Sequence, residues 1–320
     1  MRMLVTGGTG FIGSPVVDLL IEDGHEVLVF TRRTELPDRW KGRRVSVARG
    51  DLADADVLLA AMQGQDVLFH IGELKVTSQS AARKNVRLVE RIVGALGASG
   101  IGRLVFVSSV TVAGVPQTVP ATEETPAAAV LKDHYTSYKR DCEELIAGGA
   151  GAAEHAVIRP GVVYGPGSRS LRTMAGIAAR AAALGIPFIG RGGNLMPLVH
   201  VKDLARAIVR AGTAPAAARQ TFNLTDGERH TWQEFFSAIA ENAGRTLRIL
   251  PLPPGLVRLP AVLGGAVAGL FGIRADLPAY VSYLSRDVHF SMDKAERLLG
   301  WKAMHTDVRA GVREMMEEGP

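Results

Sequence analysis

Two groups of residues in this 320-residue chain have types and spacing suited to moving a proton. The first is Tyr135-Thr-Ser-Tyr-Lys139, in which a tyrosine and a lysine stand four apart. On a helix that spacing puts both side chains on one face. An ammonium beside a phenol stabilises the phenolate and lowers its pKa from about 10 toward working pH. A phenol tuned in this way gives or takes the proton of a hydroxyl–carbonyl pair. Tyr138, one residue from the lysine, points elsewhere on such a helix and reads as structural. The second group is Val107-Ser108-Ser109-Val110-Thr111, at the end of an apolar run. A serine there can orient a reacting oxygen and stabilise charge developing on it, although serines at a strand end are also ordinary turn residues.

A third group supplies a place for an anion. Residues 3–13 read Met-Leu-Val-Thr-Gly-Gly-Thr-Gly-Phe-Ile-Gly, an apolar strand that breaks into Gly7-x-x-Gly10-x-x-Gly13 and then into an apolar helix, Phe11 to Leu20. A strand, a glycine turn and a helix start form a pyrophosphate site, because helix amides and the helix dipole both face the anion. Gly7 makes the tight turn, Gly10 lets the backbone approach phosphate, and Gly13 lets the helix lie close on the sheet. A proton-transfer pair combined with a dinucleotide site points to hydride chemistry on a nicotinamide.

These groups need a scaffold, and the rest of the sequence predicts one. Apolar runs at Leu4-Val5, Val27–Phe30, Val45–Ala48, Val67–Ile71, Leu104–Val107 and Val157-Ile158 read as strands. Helices are expected at 11–23, 54–62, 79–99, 135–148, 170–184, 202–211 and 231–242, with Gly24, Gly64 and Gly100 at helix ends. Strands alternating with amphipathic helices specify a parallel sheet covered on both faces. The expected class is therefore α/β: a Rossmann doubly wound parallel sheet with a smaller C-terminal substrate domain. Ligands of such a sheet bind at the carboxyl ends of its strands, which puts Ser108 and Ser109 at the crevice. The helix at 79–99 is amphipathic, with core packing and a dimer face as open alternatives.

Composition narrows the function classes. The chain is 47% hydrophobic and 22% charged, as a globular core requires. A single cysteine, Cys142, excludes a disulfide framework and a multi-cysteine metal site, and suits a reducing cytoplasm. Cys142 itself reads as helix packing. Met1 stands one residue from the first strand, so no secretory signal is expected. The net charge of +5 is concentrated: six basic and two acidic residues between 32 and 44 leave +4 there. A patch that local fits a small anion, and no nucleic-acid partner is expected. Residues 259–273 carry no charge, but a membrane span needs about 20 residues, so a buried helix or pocket lid is expected. The eight histidines lack metal-ligand spacing, and no metal is expected. His70 and His200 read as structural. No nucleophile elbow or Walker loop is present.

Together these motifs resemble the extended short-chain dehydrogenase/reductase family, whose members are NAD(P)-dependent and epimerase/dehydratase-like. The likeness runs almost end to end. It includes Thr6 to Gly13, Asp51-Leu52, Asp66 to His70, Asn85-Val86, Leu104 to Ser109, Tyr135-x-x-x-Lys139, Arg159 to Gly167, Val199 to Asp203 and Leu299 to Trp301. The resemblance implies a catalytic set of Ser109, Tyr135 and Lys139, with Lys139 also binding the nicotinamide ribose. It implies a cofactor held by Gly7, Gly10, Phe11, Ile12, Gly13, Thr31, Arg32, Arg33, Asp51, Leu52, Tyr135, Lys139, Pro160, Val162 and Val163. It further implies a binding domain at 1–165 to which 197–225 returns, a mostly substrate-binding domain at 166–320, and a cytoplasmic homodimer.

Departures from the family pattern sharpen the expectation. NAD-preferring members carry an acidic residue at the end of the second strand; here Thr31, Arg32 and Arg33 stand there. An arginine pairs with a 2′-phosphate that a carboxylate would repel, so NADP is expected, with NAD as the alternative. Sugar-nucleotide epimerases typically have an asparagine where Val162 stands and an arginine near Met196. Two apolar side chains remove partners that a buried diphosphate requires. The expected function is hydride transfer between nicotinamide and a secondary alcohol or ketone of a relatively apolar small molecule. The alternatives are a sugar-nucleotide epimerase/dehydratase with retained NAD and a non-catalytic dinucleotide-binding sensor.

Overall fold

The computed structural model describes residues 1–149, 153–169, 171–173, 175–176, 185–253, 256–257 and 277–317. The apolar segment 259–273 lies outside the described residues, as does most of the helix expected at 170–184.

The chain opens with β1 (Arg2–Thr6), α1 (Gly13–Glu22), β2 (Glu26–Thr31), β3 (Val45–Arg49), α2 (Ala55–Met62), β4 (Val67–His70), α3 (Gln79–Ser99) and β5 (Arg103–Val107). A one-turn 3-10 segment at Val110–Ala113 and a hairpin of β6 (Val115–Pro116) and β7 (Ala127–Ala129) lead to α4 (His134–Gly149) and β8 (Glu154–Pro160). There follow β9 (Val162–Tyr164), β10 (Ile186–Ile189), β11 (Leu198–His200), α5 (Val201–Thr213), β12 (Gln220–Leu224), α6 (Trp232–Asn242), β13 (Ile249–Leu252), α7 (Leu277–Ser285), α8 (Asp293–Leu299) and α9 (Val308–Glu317).

Seven strands pair in the order β12-β8-β5-β4-β1-β2-β3, all parallel. The chain crosses from one side of β1 to the other between β3 and β4, so the ligand crevice of this doubly wound sheet opens between β1 and β4. Alternate residues feed two cores. Val5, Val29, Val105, Ile158 and Phe222 pack with Val16, Val17 and Leu20 of α1 and Leu204 and Ile208 of α5. Leu4, Leu68, Leu104, Phe106 and Val157 pack with α2, α3 and α4, where Cys142 is fully buried as helix packing. Each large apolar side chain buried this way stabilises the fold by about 1.5–3 kcal/mol.

Helix limits follow local chemistry. The Asp54 side chain accepts from the Asp56 amide at 3.2 Å and starts α2; Ser78 does the same for α3 through Ala81. Gly100 ends α3 at φ +80°, a conformation that favours glycine. Helix α1 starts at Gly13, two residues later than expected, because Phe11 and Ile12 complete the glycine turn. Strand β12, the small sheets β9–β11 and β10–β13, and helices α8 and α9 were not anticipated. Their runs are too short for a period to show.

The segment after β8 builds a third core, in which Tyr164, Met196 and Leu198 pack with Phe235, Ile239, Val308 and Val312. Buried Asp203 fastens the C-terminal chain to α5: it accepts from the amides of Met304 (2.9 Å) and His305 (2.8 Å) and pairs with His305 Nδ1 (2.7 Å) and Arg206 (2.6 Å). His200 is structural, stacked on His305 at 4.5 Å, but its Nε2 has no hydrogen-bond partner among the described residues. Burial pushes this imidazole down to about 4. No helix among the described residues is long and apolar enough to cross a membrane.

Candidate active site

The glycine turn is packed so tightly that it admits no side chain at Gly7 or Gly13. Gly7 sits at φ +70°, and a Cβ there would lie 2.6 Å from Gly72 Cα, in the loop after β4. A Cβ on Gly13 would lie 2.2 Å from the Gly7 carbonyl oxygen. The Gly10 amide donates to that same oxygen at 2.9 Å, and Ser14 N donates to Gly10 O at 3.0 Å. No side chain caps the start of α1, which leaves the helix start open to an anion. Two backbones in contact at the switch point make a cradle that fits a dinucleotide pyrophosphate.

Beside this turn lies a cleft of about 970 Å³, lined by Gly10, Phe11, Arg33, Arg39, Val162, Val163, Arg169 and Lys202 among others. It gathers five of the expected cofactor residues: Gly10, Phe11, Arg33, Val162 and Val163. Thr31 ends β2, and its hydroxyl accepts from Arg33 N at 3.2 Å and lies 3.4 Å from the Thr9 hydroxyl. The basic cluster divides. Arg39 is tied to Asp18 at 3.0 Å and to Ser14, whereas no carboxylate among the described residues pairs with Arg33. Arg32 does not line the cleft; it faces Asp51 at 3.6 Å across the ends of β2 and β3. Leu52 packs beside Gly72, and Ile12 against the α1 core. Pro160 is buried at the end of β8, next to Gly161, where a Cβ would lie 2.3 Å from Pro197 O.

Tyr135 and Lys139 lie on the first turns of α4, and Asp133 fixes where that helix begins. Its Oδ1 accepts from the amides of Tyr135 (2.9 Å) and Thr136 (3.0 Å). Losing such a cap costs about 0.5–2 kcal/mol. Asp133→Ala is accordingly expected to lower the thermal midpoint and, by loosening the turn that carries Tyr135, turnover as well; Asp133→Asn is expected to restore both. Thermal melts and steady-state rates of the two variants check this.

The Lys139 ammonium is held in the interior, its side chain only 5% exposed. It donates to the Val107 carbonyl at the end of β5 at 2.8 Å and pairs with Glu73 Oε2 at 3.0 Å. It also lies over three rings, 5.1 Å from the centroids of Phe106 and Tyr138 and 5.7 Å from that of Tyr135. Ser109 is buried just past the same strand end, where its Oγ accepts from Thr111 N at 3.2 Å and Thr111 Oγ1 at 3.0 Å. Both bonds use the serine oxygen as acceptor, which leaves its own proton available to another oxygen. The neighbouring Ser108 turns to the opposite face and donates to Glu143, itself in a fork with Arg159 (3.0 and 2.5 Å). The end of β5 thus brings Ser109 and Lys139 into one neighbourhood, and α4 adds Tyr135.

Three features were missed in the sequence. Tyr138 is not turned away from the lysine: it is buried, its ring meets Tyr135 edge-on at 5.6 Å, and its hydroxyl donates to Glu73. Its helical position still left the ring within reach. Glu73 lies three residues past the end of β4, and the rule that ligands gather at strand carboxyl ends could have flagged it. Asp133 could have been found as a helix cap ahead of Tyr135. His70 is buried against Thr6 (2.9 Å) and stacks on Phe106, a packing role; burial and the nearby Lys139 push it down to about 3. No metal-binding group of three His, Cys, Asp or Glu occurs among the described residues.

Known proteins resemble the chain in sequence and in fold. Residues 3–225 match the NAD dependent epimerase/dehydratase family. The chain is 29% identical to a 3 beta-hydroxysteroid dehydrogenase/Delta 5-->4-isomerase of Mycobacterium tuberculosis, over 97% of this chain and 88% of that one. It is 30% identical to a UDP-glucose 4-epimerase of Mycolicibacterium smegmatis, over 76% of this chain and 83% of that one. The crystal structure of gox2253 superposes with a TM-score of 0.82, covering 98% of this chain and 96% of that one at 24% identity, a likeness of fold. With a family match spanning the sheet, the glycine cradle and the α4 pair, the chain belongs to the NAD-dependent epimerase/dehydratase family of extended short-chain dehydrogenases/reductases and is an NAD(P)-dependent oxidoreductase.

Proposed function

We propose that the protein uses NADP(H) to interconvert a secondary alcohol and the corresponding ketone of a relatively apolar small molecule, with Ser109, Tyr135 and Lys139 as its catalytic residues. One observation carries this reading: a buried ammonium, Lys139, lies 5.7 Å from the Tyr135 ring and is fixed to the same strand end that bears Ser109. When bound, the dinucleotide supplies the nicotinamide carbon that gives or accepts hydride. Gly7, Gly10, Phe11, Ile12 and Gly13 would hold its pyrophosphate, and Thr31, Arg32 and Arg33 its phosphorylated ribose. Asp51 and Leu52 would meet the adenine, and Pro160, Val162, Val163, Tyr135 and Lys139 the nicotinamide half. Ser109 orients the substrate oxygen by donating its free proton. Tyr135 exchanges a proton with that oxygen at its own Oη, and Lys139 stabilises the phenolate that results.

Arg33 supports NADP over NAD, since it lines the cleft beside Gly10 and no carboxylate among the described residues neutralises it. Charge-assisted hydrogen bonds contribute about 1.5–3 kcal/mol. Arg33→Ala is therefore expected to weaken NADPH binding by about 10- to 100-fold and to leave NADH binding unchanged. Fluorescence titration with both nucleotides reads the difference. Val162, which lines the cleft, supports an apolar substrate, as does the relative named for a hydroxysteroid. The same reading divides the chain into a binding domain at 1–165 with 197–225, and a mostly substrate-binding domain at 166–320. Light scattering in solution tests the homodimer that goes with it in a cytoplasmic setting.

NADPH oxidation followed with a panel of apolar ketones is the direct test, and turnover with at least one is expected. The family's epimerase relative favours a second reading, a redox-neutral enzyme that keeps its NAD. Stoichiometric NAD released on denaturation, together with epimerisation of a nucleotide sugar, would replace the first reading with the second. Nucleotide binding with no turnover of either kind would leave a dinucleotide sensor.

A further inference from the structure

The Glu73 carboxylate takes no part in the proposed proton transfer, yet it touches Tyr138 and Lys139. Its backbone is fixed on both sides. Gly72 N donates to the Thr6 carbonyl (3.1 Å) and lies 3.2 Å from its hydroxyl, and Leu74 is clamped by Asn85, which accepts from its N–H and donates to its carbonyl, both at 2.9 Å. From this anchored position Glu73 accepts the Tyr138 hydroxyl proton and pairs with Lys139 Nζ at 3.0 Å. Its side chain is 37% exposed against 5% for Lys139, so it stands between the buried ammonium and water.

The other groups around the ammonium carry little compensating charge. From β4, His70 is held neutral, pushed down to about 3 by burial and by Lys139. On α4 itself, burial pushes the Cys142 thiol up to about 12 and also raises the Tyr138 phenol. Glu143, also on α4, is engaged by Arg159 and Ser108, and Asp141 acts on Cys142 only at a distance. From β5 the ammonium meets a carbonyl and the Phe106 ring. Among the described residues, Glu73 is the anion in contact with Lys139.

We propose that Glu73 is a positioning residue that anchors and partly neutralises the Lys139 ammonium, and thereby sets the pH at which Tyr135 exchanges its proton. This rests on Tyr135 as the proton-transfer group. With the carboxylate present, part of the ammonium's field at the phenol is cancelled. Without it, the full charge of a poorly hydrated cation acts on the phenol and favours the phenolate.

The test is a titration of the full chain, without cofactor, carrying 13Cζ-labelled tyrosine, with the Tyr135 resonance assigned from Tyr135→Phe. Glu73→Gln is expected to lower the pKa of Tyr135 by about one unit, the low end of the effect of a nearby charge. The limb of the kcat/KM profile governed by Tyr135 is expected to move by the same amount. Tyr138→Phe removes a hydrogen bond but no charge, and is expected to move both far less. Glu73→Ala gives a second variant in the same direction, and Glu73→Asp is expected to recover most of the shift. An unchanged Tyr135 titration in folded Glu73→Gln would overturn the proposal, as would a Tyr138→Phe shift equal to it. The functional reading fails separately: turnover that survives Tyr135→Phe removes the catalytic role but leaves the phenol titration as a test of Glu73.

Discussion

Tyr135→Phe is expected to lower kcat by about 10²- to 10⁴-fold, the contribution typical of a positioned general acid–base group, while leaving cofactor affinity intact. The substitution removes one oxygen and keeps the ring, so the edge contact with Tyr138 at 5.6 Å and the face presented to Lys139 at 5.7 Å persist. The cap from Asp133 to the Tyr135 amide is a backbone contact and is unaffected. A fall in kcat with unchanged cofactor binding by calorimetry isolates proton transfer. Near-normal turnover would refute the catalytic role.

Gly13→Ala carries the other large effect. The new Cβ would sit 2.2 Å from Gly7 O and 2.8 Å from both Gly7 C and Gly8 Cα, all backbone atoms that no rotamer change can move aside. Relief requires opening the turn or lifting α1 from the sheet. Overpacking of this kind costs about 1–3 kcal/mol. Cofactor affinity is expected to fall by two orders of magnitude or more, because the amides that define the anion site are displaced. Gly10→Ala provides the contrast. Its Cβ would meet only Gly7 O, at 3.1 Å, so thermal stability is expected to change little while nucleotide approach is still blocked. Paired melts and binding titrations separate the two. Equal stability and equal binding in Gly13→Ala would show that the turn does not form the cofactor cradle.

The parts legible in the sequence are those where one periodic or conformational demand dominates. The core strands and helices α2, α3 and α6 were recognisable from apolar periodicity, and in the structure Asp54, Ser78 and Thr231 cap the starts of those helices. The turn at residues 7–13 was readable because positive φ at Gly7 and backbone contact at Gly13 leave glycine no substitute. Pairing across the fold was not legible. Glu73 reaches Lys139 across 66 positions of sequence, and Asp203 holds His305 across 102. Neither partner marks the other. The direction of Tyr138 was misjudged for a related reason: adjacent helix positions diverge by only part of a turn, and a long side chain closes that gap toward a carboxylate supplied by another loop. Among the arginines, count and position were plain, but which of them would be claimed by Asp18 or Asp51 depended on packing.

The contact between Gly7 and Gly72 also determines where this molecule tolerates redesign. Two loops joined backbone to backbone form one mutational unit, and a side chain added to either would wedge β1 from β4 at the crevice. The end of β2 obeys no such constraint. Arg32 is 80% exposed there, and its pairing with Asp51 spans solvent. The residues proposed to handle the proton hang from β4, β5 and α4, on the far side of that glycine seam. On the proposed reading, preference for one nucleotide over another is an exchangeable module at Thr31–Arg33, separable from the chemistry, whereas the seam between the two halves admits no added side chain.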